Sequence, residues 1–331
     1  MIDQSTLHGF LDATFGAAPL SELTKISGGQ SNPTYFVTHG DRRMVLRKQP
    51  DGPILKGAHA IDREYRVMNA LGAQGVPVPK TILFHDDAET LGTPFYLMER
   101  LDGRVFEDCS LPNMTPDERH AIYLGMADAM AKMHSVVPSV AGLGDYGPPG
   151  NYFERQVRRW SKQLFASTGE PIPDLEYLAN WLTENQPEDD GELAVAHGDF
   201  RLGNLMFHPI EPRVIAILDW ELSTLGHPMA DLGFCSMTWH SSPEEYGGIL
   251  GLDWDALGIP TKEAFAARYL ESARTAARLS DFHVIFSLFR FAVIFVGIRD
   301  RVAQGTATAA NAAEMAPLAR AFAKRARELL G

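Results

Sequence analysis

The sequence predicts an α+β chain in two unequal parts, a small antiparallel β-sheet with one main helix followed by a larger, mostly helical part. Three observations predict it. Residues 23–48 alternate short apolar runs with tight-turn residues, and a single amphipathic stretch follows near residues 59–71. Beyond residue 115, helix starts and apolar stripes at helical spacing take over. The division is placed at 1–100 and 101–331.

Leu23–Ile26, Tyr35–Val37 and Met44–Leu46 read as three strands, separated by turns at Gly28-Gly29 and His39-Gly40-Asp41. Ile61, Tyr65, Met68 and Leu71 recur at helical spacing and Gly72 closes that helix. Thr81–Phe84 and Pro94–Met98 supply two more strands, and the first part ends near Leu101-Asp102-Gly103. Thr115-Pro116-Asp117-Glu118 starts a helix whose stripe of Ile122, Met126, Ala129, Met130 and Met133 is core packing. Further helices are expected at about 151–168, 174–185, 261–276, 281–303 and 309–330, with short strands near 193–196 and 213–218.

Composition narrows the function classes. The 331 residues are 45% hydrophobic and 22% charged, as in ordinary globular chains. Thirty basic against 42 acidic residues leave a net charge of −12, which argues against a nucleic-acid binder relying on a broadly basic surface. Cys109 and Cys235 stand far apart, so no disulfide framework or four-thiolate zinc site is expected. The first twenty residues hold no Lys or Arg, unlike the basic start of a secretory signal. The most apolar stretch, Val284–Ile298, contains Arg290 and falls short of the about 20 residues of a membrane span. It is expected as a buried helix, in a cytoplasmic protein without a membrane partner.

The chemistry concentrates in His197-Gly198-Asp199-Phe200-Arg201-Leu202-Gly203-Asn204. An Asp five positions before an Asn has the spacing of a kinase catalytic loop. Asp199 is the candidate acceptor of a proton from an attacking alcohol. Asn204 offers a hard amide oxygen suited to Mg²⁺. Asp219, where the strand Arg213–Leu218 ends, is the second candidate metal ligand, although Trp220-Glu221 stands where protein kinases have Phe-Gly.

HGDFRLGNL, ILDWE and GHPMADLG resemble the aminoglycoside phosphotransferase-like branch of the protein-kinase-like superfamily. More narrowly, GGQSNPTYFV, MVLRKQP, GTPFYLMERLDGRVF and ILDWELSTLGHPMADLGF resemble kinase-like domains found beside, or fused to, acyl-CoA dehydrogenases. The resemblance implies a two-lobed kinase-like fold, ATP as phosphoryl donor and Mg²⁺ as cofactor. It also implies a functional link to an acyl-CoA dehydrogenase and a hydroxyacyl-CoA as acceptor.

Against that background Gly28, Gly29, Gln30 and Ser31 form a candidate phosphate loop, where glycines let backbone amides approach phosphate oxygens. Arg47 is the preferred phosphate cation, with Lys48 in reserve on the opposite strand face and Glu64 as its ion-pair partner. Backbone groups near Glu99 and Leu101 resemble the adenine-binding linker. Asp231 is similar to the residue that anchors the catalytic loop, and His197 is assigned the same structural role. Gly142-Leu143-Gly144-Asp145-Tyr146-Gly147 matches a dinucleotide fingerprint in letters only, because no strand precedes it.

Arg155, Arg158 and Arg159, with Lys162, recur at helical spacing after Asn151. They form either a solvated charged face or a patch for an anionic handle such as coenzyme A phosphates. A cationic alternative, an aminoglycoside or an amino alcohol, suits the overall acidity. A non-catalytic binding module would have no chemical need for Asp199, Asn204 and Asp219 together.

Overall fold

The computed structural model describes residues 2–26, 32–52, 60–306 and 311–331. The chain divides into two compact units, one of Met1–Gly103 with Ile215–Leu222, the other of Arg104–Val214 with Ser223–Gly331. The first unit holds, in chain order, α1 (Gln4–Phe15), β1 (Leu20–Lys25), β2 (Thr34–His39), β3 (Arg42–Lys48), α2 (Ile61–Ala73), β4 (Thr81–His85), α3 (Ala88–Leu91) and β5 (Phe95–Glu99). The second holds β6 (Arg104–Val105), α4 (Pro116–His134), α5 (Tyr152–Phe165), α6 (Pro173–Glu184), β7 (Ala194–Ala196) and β8 (Leu205–Phe207). After β9 (Val214–Ile217) come β10 (Thr224–Gly226), α7 (Met229–Ser236), α8 (Trp254–Leu257), α9 (Lys262–Ser272), α10 (Asp281–Ala303), α11 (Ala312–Met315) and α12 (Leu318–Glu328). An antiparallel sheet with one main helix on its Arg47 face, and a mostly helical unit, make the α+β build that the sequence predicts.

The first unit's sheet has the order β1-β2-β3-β5-β4, antiparallel throughout. Strand alternation sorts its side chains. Tyr35, Val37, Met44, Leu46, Phe95 and Leu97 pack with Leu7 and Leu11 of α1. Burying Leu7 and Leu11 stabilises the unit by about 1.5–3 kcal/mol each. Arg47 and Tyr96, opposite one another in the register, belong to the other face, where Tyr65 of α2 lies 6.0 Å from Tyr96. Helix α1 is absent from the sequence expectation because it buries only Leu7 and Leu11, too few to show a period. Its start is nevertheless capped by Asp3, which accepts from the Thr6 N–H at 2.7 Å.

The segment Ile215–Leu222 clusters with this unit, although the sequence placed it in the second part. The Ile217 N–H donates to the Pro77 carbonyl at 2.8 Å. The turn after it packs on α2 around buried Trp220, whose indole N–H donates to the Ile217 carbonyl at 2.9 Å.

In the second unit, α4 starts with a reciprocal capping box between Thr115 and Glu118 and buries the expected Met stripe. The central helix is α10, long and apolar enough to cross a membrane but 78% buried over its apolar window. It packs against α5, α6, α7 and α12, with Phe291 4.9 Å from Phe322 ring to ring. The continuous helix expected over 309–330 is instead α11 and α12, because Pro317 lacks the N–H to carry the first helix onward and caps the second. Two antiparallel pairs, β7 with β10 and β6 with β8, flank the loop of residues 197–204.

Candidate active site

Strand β7 is wholly buried and delivers the chain to His197, Gly198 and Asp199. One buried carboxylate shapes this loop. Asp231 of α7 accepts from the His197 N–H at 2.6 Å and from the Gly198 N–H at 2.8 Å, one bond on each oxygen. The ring of His134 on α4 meets the same carboxylate at 3.1 Å and is held from behind by the Tyr269 hydroxyl at 2.8 Å. Burial works to raise the pKa of Asp231, but the His134 bond, the nearby imidazoles and the backbone donors outweigh it and hold the group below the ordinary aspartate range.

Gly198 adopts φ +83°, which a side chain would resist, and so points its N–H at Asp231 and its carbonyl at Arg290. Arg290 donates to that carbonyl at 2.6 Å while its guanidinium lies over the rings of Trp160 and Phe234. A buried cation in an apolar helix thus tethers the loop.

Asp199 is held by Asn204, whose side-chain amide donates to the Asp199 carbonyl at 2.9 Å and to Oδ2 at 2.7 Å. The Asn204 amide oxygen has no hydrogen-bond partner among the described residues. Arg201 Nε lies 3.6 Å from Asp199 Oδ2, and Oδ1 has no hydrogen-bond partner among the described residues. Burial raises the Asp199 pKa above the ordinary value, against the pull of Arg201, His197, Asn204 and Arg290.

In the first unit, Arg47 Nε lies 2.8 Å from Glu64 Oε2, and Nη2 lies 3.4 Å from both Glu64 Oε1 and Asp219 Oδ1. Glu64 also accepts from the Asn32 amide at 2.7 Å and the Tyr96 hydroxyl at 3.1 Å. Burial disfavours the Arg47 charge, yet Glu64, Tyr96 and Asp219 more than offset this and raise its pKa. Asp219 sits at φ +63°, a left-handed conformation that Asp tolerates better than most side chains, and half of its side chain is exposed.

Lys48 lies on the α1 face of the sheet with its ammonium tied to Asp51 and the Leu91 carbonyl, both at 2.9 Å. It takes no part in the Arg47 cluster. Glu99 accepts from the Lys80 N–H at 2.8 Å, whereas the Leu101 backbone groups have no partner among the described residues. Gly28, Gly29, Gln30 and Ser31 fall outside the described residues. On α5, Arg155 turns back to the carbonyls of Pro149 and Gly150, Arg158 stands 3.8 Å from Glu154, and Arg159 lies over Trp160. None of the three lines either of two cavities in the second unit.

The smaller cavity, about 50 Å³, adjoins the Asp199 loop at Arg201, Leu202 and Gly203 and is walled by Phe234, Met237, Tyr246 and Phe291. Cys109 also borders it, with a thiol pushed up to about 11 by burial, which favours its protonated form at neutral pH. The larger cavity, about 430 Å³, carries Asp189, Asp190, Glu192 and His227 and opens where Leu193 enters β7. Asp199 lies beyond the opposite end of that strand, about 10 Å further on at strand rise.

The sequence alone did not mark His134, Tyr96, Asn32, Arg201 and Arg290 as members of these clusters. Only Arg290 carried a signal, a charge inside the most apolar stretch of the chain.

The sequence matches the phosphotransferase enzyme family over residues 22–281. Among solved structures, one described as a putative aminoglycoside phosphotransferase from Ralstonia eutropha is 44% identical, with a TM-score of 0.90 over 99% of this chain and 98% of that one. A spectinomycin phosphotransferase solved with ADP and spectinomycin shares the fold at 13% identity, with a TM-score of 0.65 over 99% of each chain. Among curated relatives, acyl-CoA dehydrogenase family member 10 of Mus musculus is 40% identical over 98% of this chain and 31% of its own length. Family member 11 of Gallus gallus is 39% identical over 98% of this chain and 42% of its own length. The chain thus spans less than half of these relatives. It belongs to the phosphotransferase enzyme family and is a small-molecule kinase.

Proposed function

We propose that the chain moves the γ-phosphoryl group of ATP to a hydroxyl of a hydroxyacyl-CoA. The observation that carries the transfer is Asp199. Its carboxylate is locked through Oδ2 to Asn204 and keeps Oδ1 without a partner among the described residues. Asp199 Oδ1 would orient the acceptor hydroxyl and take its proton as the oxygen attacks phosphorus. Arg47, oriented by Glu64, would neutralise donor phosphates, and the Leu101 backbone would bond adenine. Gly28, Gly29, Gln30 and Ser31 would cradle phosphate with backbone amides. Asn204 and Asp219 both offer hard oxygen donors and would hold Mg²⁺, which when bound would offset the negative charge of the phosphates.

The acyl acceptor is supported by the apolar walls of the cavity beside Arg201, which suit a short hydrocarbon segment better than a polyamine. Arg158 and Arg159, exposed on α5, would receive the anionic handle. The names of the curated relatives support work alongside an acyl-CoA dehydrogenase. A cationic acceptor is the second reading, favoured by the acidic lining of the larger cavity. That lining is set back from Asp199 by the length of β7, so such an acceptor would have to be long. ADP release measured over hydroxyacyl-CoAs, aminoglycosides and amino alcohols, with mass detection of product, separates these readings. Turnover of an amine with no CoA product rejects the acyl-CoA assignment. Tight ATP binding with no transfer to any acceptor indicates a binding module.

A further inference from the structure

Among the described residues, one group brings three metal-binding side chains together, on the sheet face opposite Arg47. His8 and Asp12 stand one turn apart on α1 and project from the same side, and His39 ends β2 beneath them. His39 Nε2 lies 2.8 Å and His8 Nε2 3.6 Å from the same oxygen, Asp12 Oδ1. All three donor atoms fall within 4.8 Å of one another, and the Ala18 carbonyl oxygen is 2.8 Å from His8 Nε2. A tetrahedral zinc ion with bonds of about 2.0–2.1 Å places its donors about 3.3–3.4 Å apart, so shifts below about 1 Å bring these atoms into range. The mixture of imidazole nitrogen and carboxylate oxygen suits a borderline cation such as zinc better than magnesium. His39 is fully buried and pre-placed, while the partly exposed His8 and Asp12 leave a way in.

We propose that His8, Asp12 and His39 form a binding site for a zinc-class divalent cation, with the Ala18 carbonyl or water as fourth ligand. Each neutral imidazole would carry its one proton on Nδ1, and the Nε2 bonds to Asp12 and Ala18 would be exchanged for bonds to the metal. The ion would staple α1 to β2 across 39 − 12 = 27 residues of chain, separately from the phosphate-handling residues. The test uses the tag-free, metal-stripped full chain, titrated calorimetrically with zinc and with magnesium and assayed for bound metal after gel filtration. One zinc per chain is expected, with a rise in the unfolding midpoint and no response to magnesium. His8→Ala and Asp12→Asn should each weaken zinc binding at least about 10-fold and abolish the rise. These two partly exposed positions carry the test if His39→Ala fails to fold. Substoichiometric zinc, or equal affinity in both variants, overturns the proposal.

Discussion

Replacing Asp231 with Asn removes one acceptor from a carboxylate that serves three donors, the His197 and Gly198 amides and the His134 ring. The best orientation keeps oxygen facing His197 and His134 and turns the amide nitrogen toward the Gly198 N–H, two donors face to face in a buried site. Leaving that N–H unsatisfied costs about 1–3 kcal/mol, and weakening the remaining charge-assisted bonds adds about 1 kcal/mol each. A total of about 3–5 kcal/mol is expected, or a fall in midpoint of about 6–20 °C for a unit of this size. Thermal and urea unfolding at neutral pH measure it, and turnover should fall too because the loop carries Asp199. The sign of the pH dependence comes from a lowered native pKa. The Asp231 carboxylate's stabilisation is present above the ordinary aspartate range and is lost as pH falls through its depressed value. The deficit of the variant should therefore hold steady from about pH 5 to 8 and shrink only in stronger acid. A loss below about 1 kcal/mol, or one that varies across that window, would refute this account of how the loop is held.

Asp199→Asn should lower turnover by about 100-fold or more without lowering the midpoint, since burial already disfavours that charge; a large loss of stability would mark the residue as structural. The same raised pKa predicts that wild-type turnover fails on acidification at a higher pH than an ordinary aspartate would impose. A pH profile with its acid limb at or below the ordinary range contradicts the assignment. Arg47→Ala should raise the KM for ATP and lower kcat, whereas Lys48→Met should leave both near normal and cost about 1–2 kcal/mol of stability through its lost bonds to Asp51 and Leu91. The reverse pattern would exchange the two roles.

How much was legible depended on whether a contact is encoded locally. Met44–Lys48 alternates, so Arg47 and Lys48 had to lie on opposite faces, and the helical spacing of α2 carries Glu64. Asp199 and Asn204 lie five positions apart, within reach of a single turn. The His134 partner of Asp231 was not legible: it is 97 residues away, and no local period connects them. The same holds for Arg290 and Gly198, separated by 92 residues.

Sequence alone therefore determined most of the sheet strands and long helices, though not α1, together with the HGDFRLGN loop and the acidic residues that point to phosphoryl transfer, because each is written in spacing and backbone preference over a few residues. Tertiary structure decided which cation meets Glu64, which oxygen of Asp199 stays unpartnered, which unit claims Ile215–Leu222, and that His8, Asp12 and His39 converge. Those outcomes depend on burial and on distances between segments remote in the chain. Such distances are set only when apolar faces pack and buried polar groups must find partners.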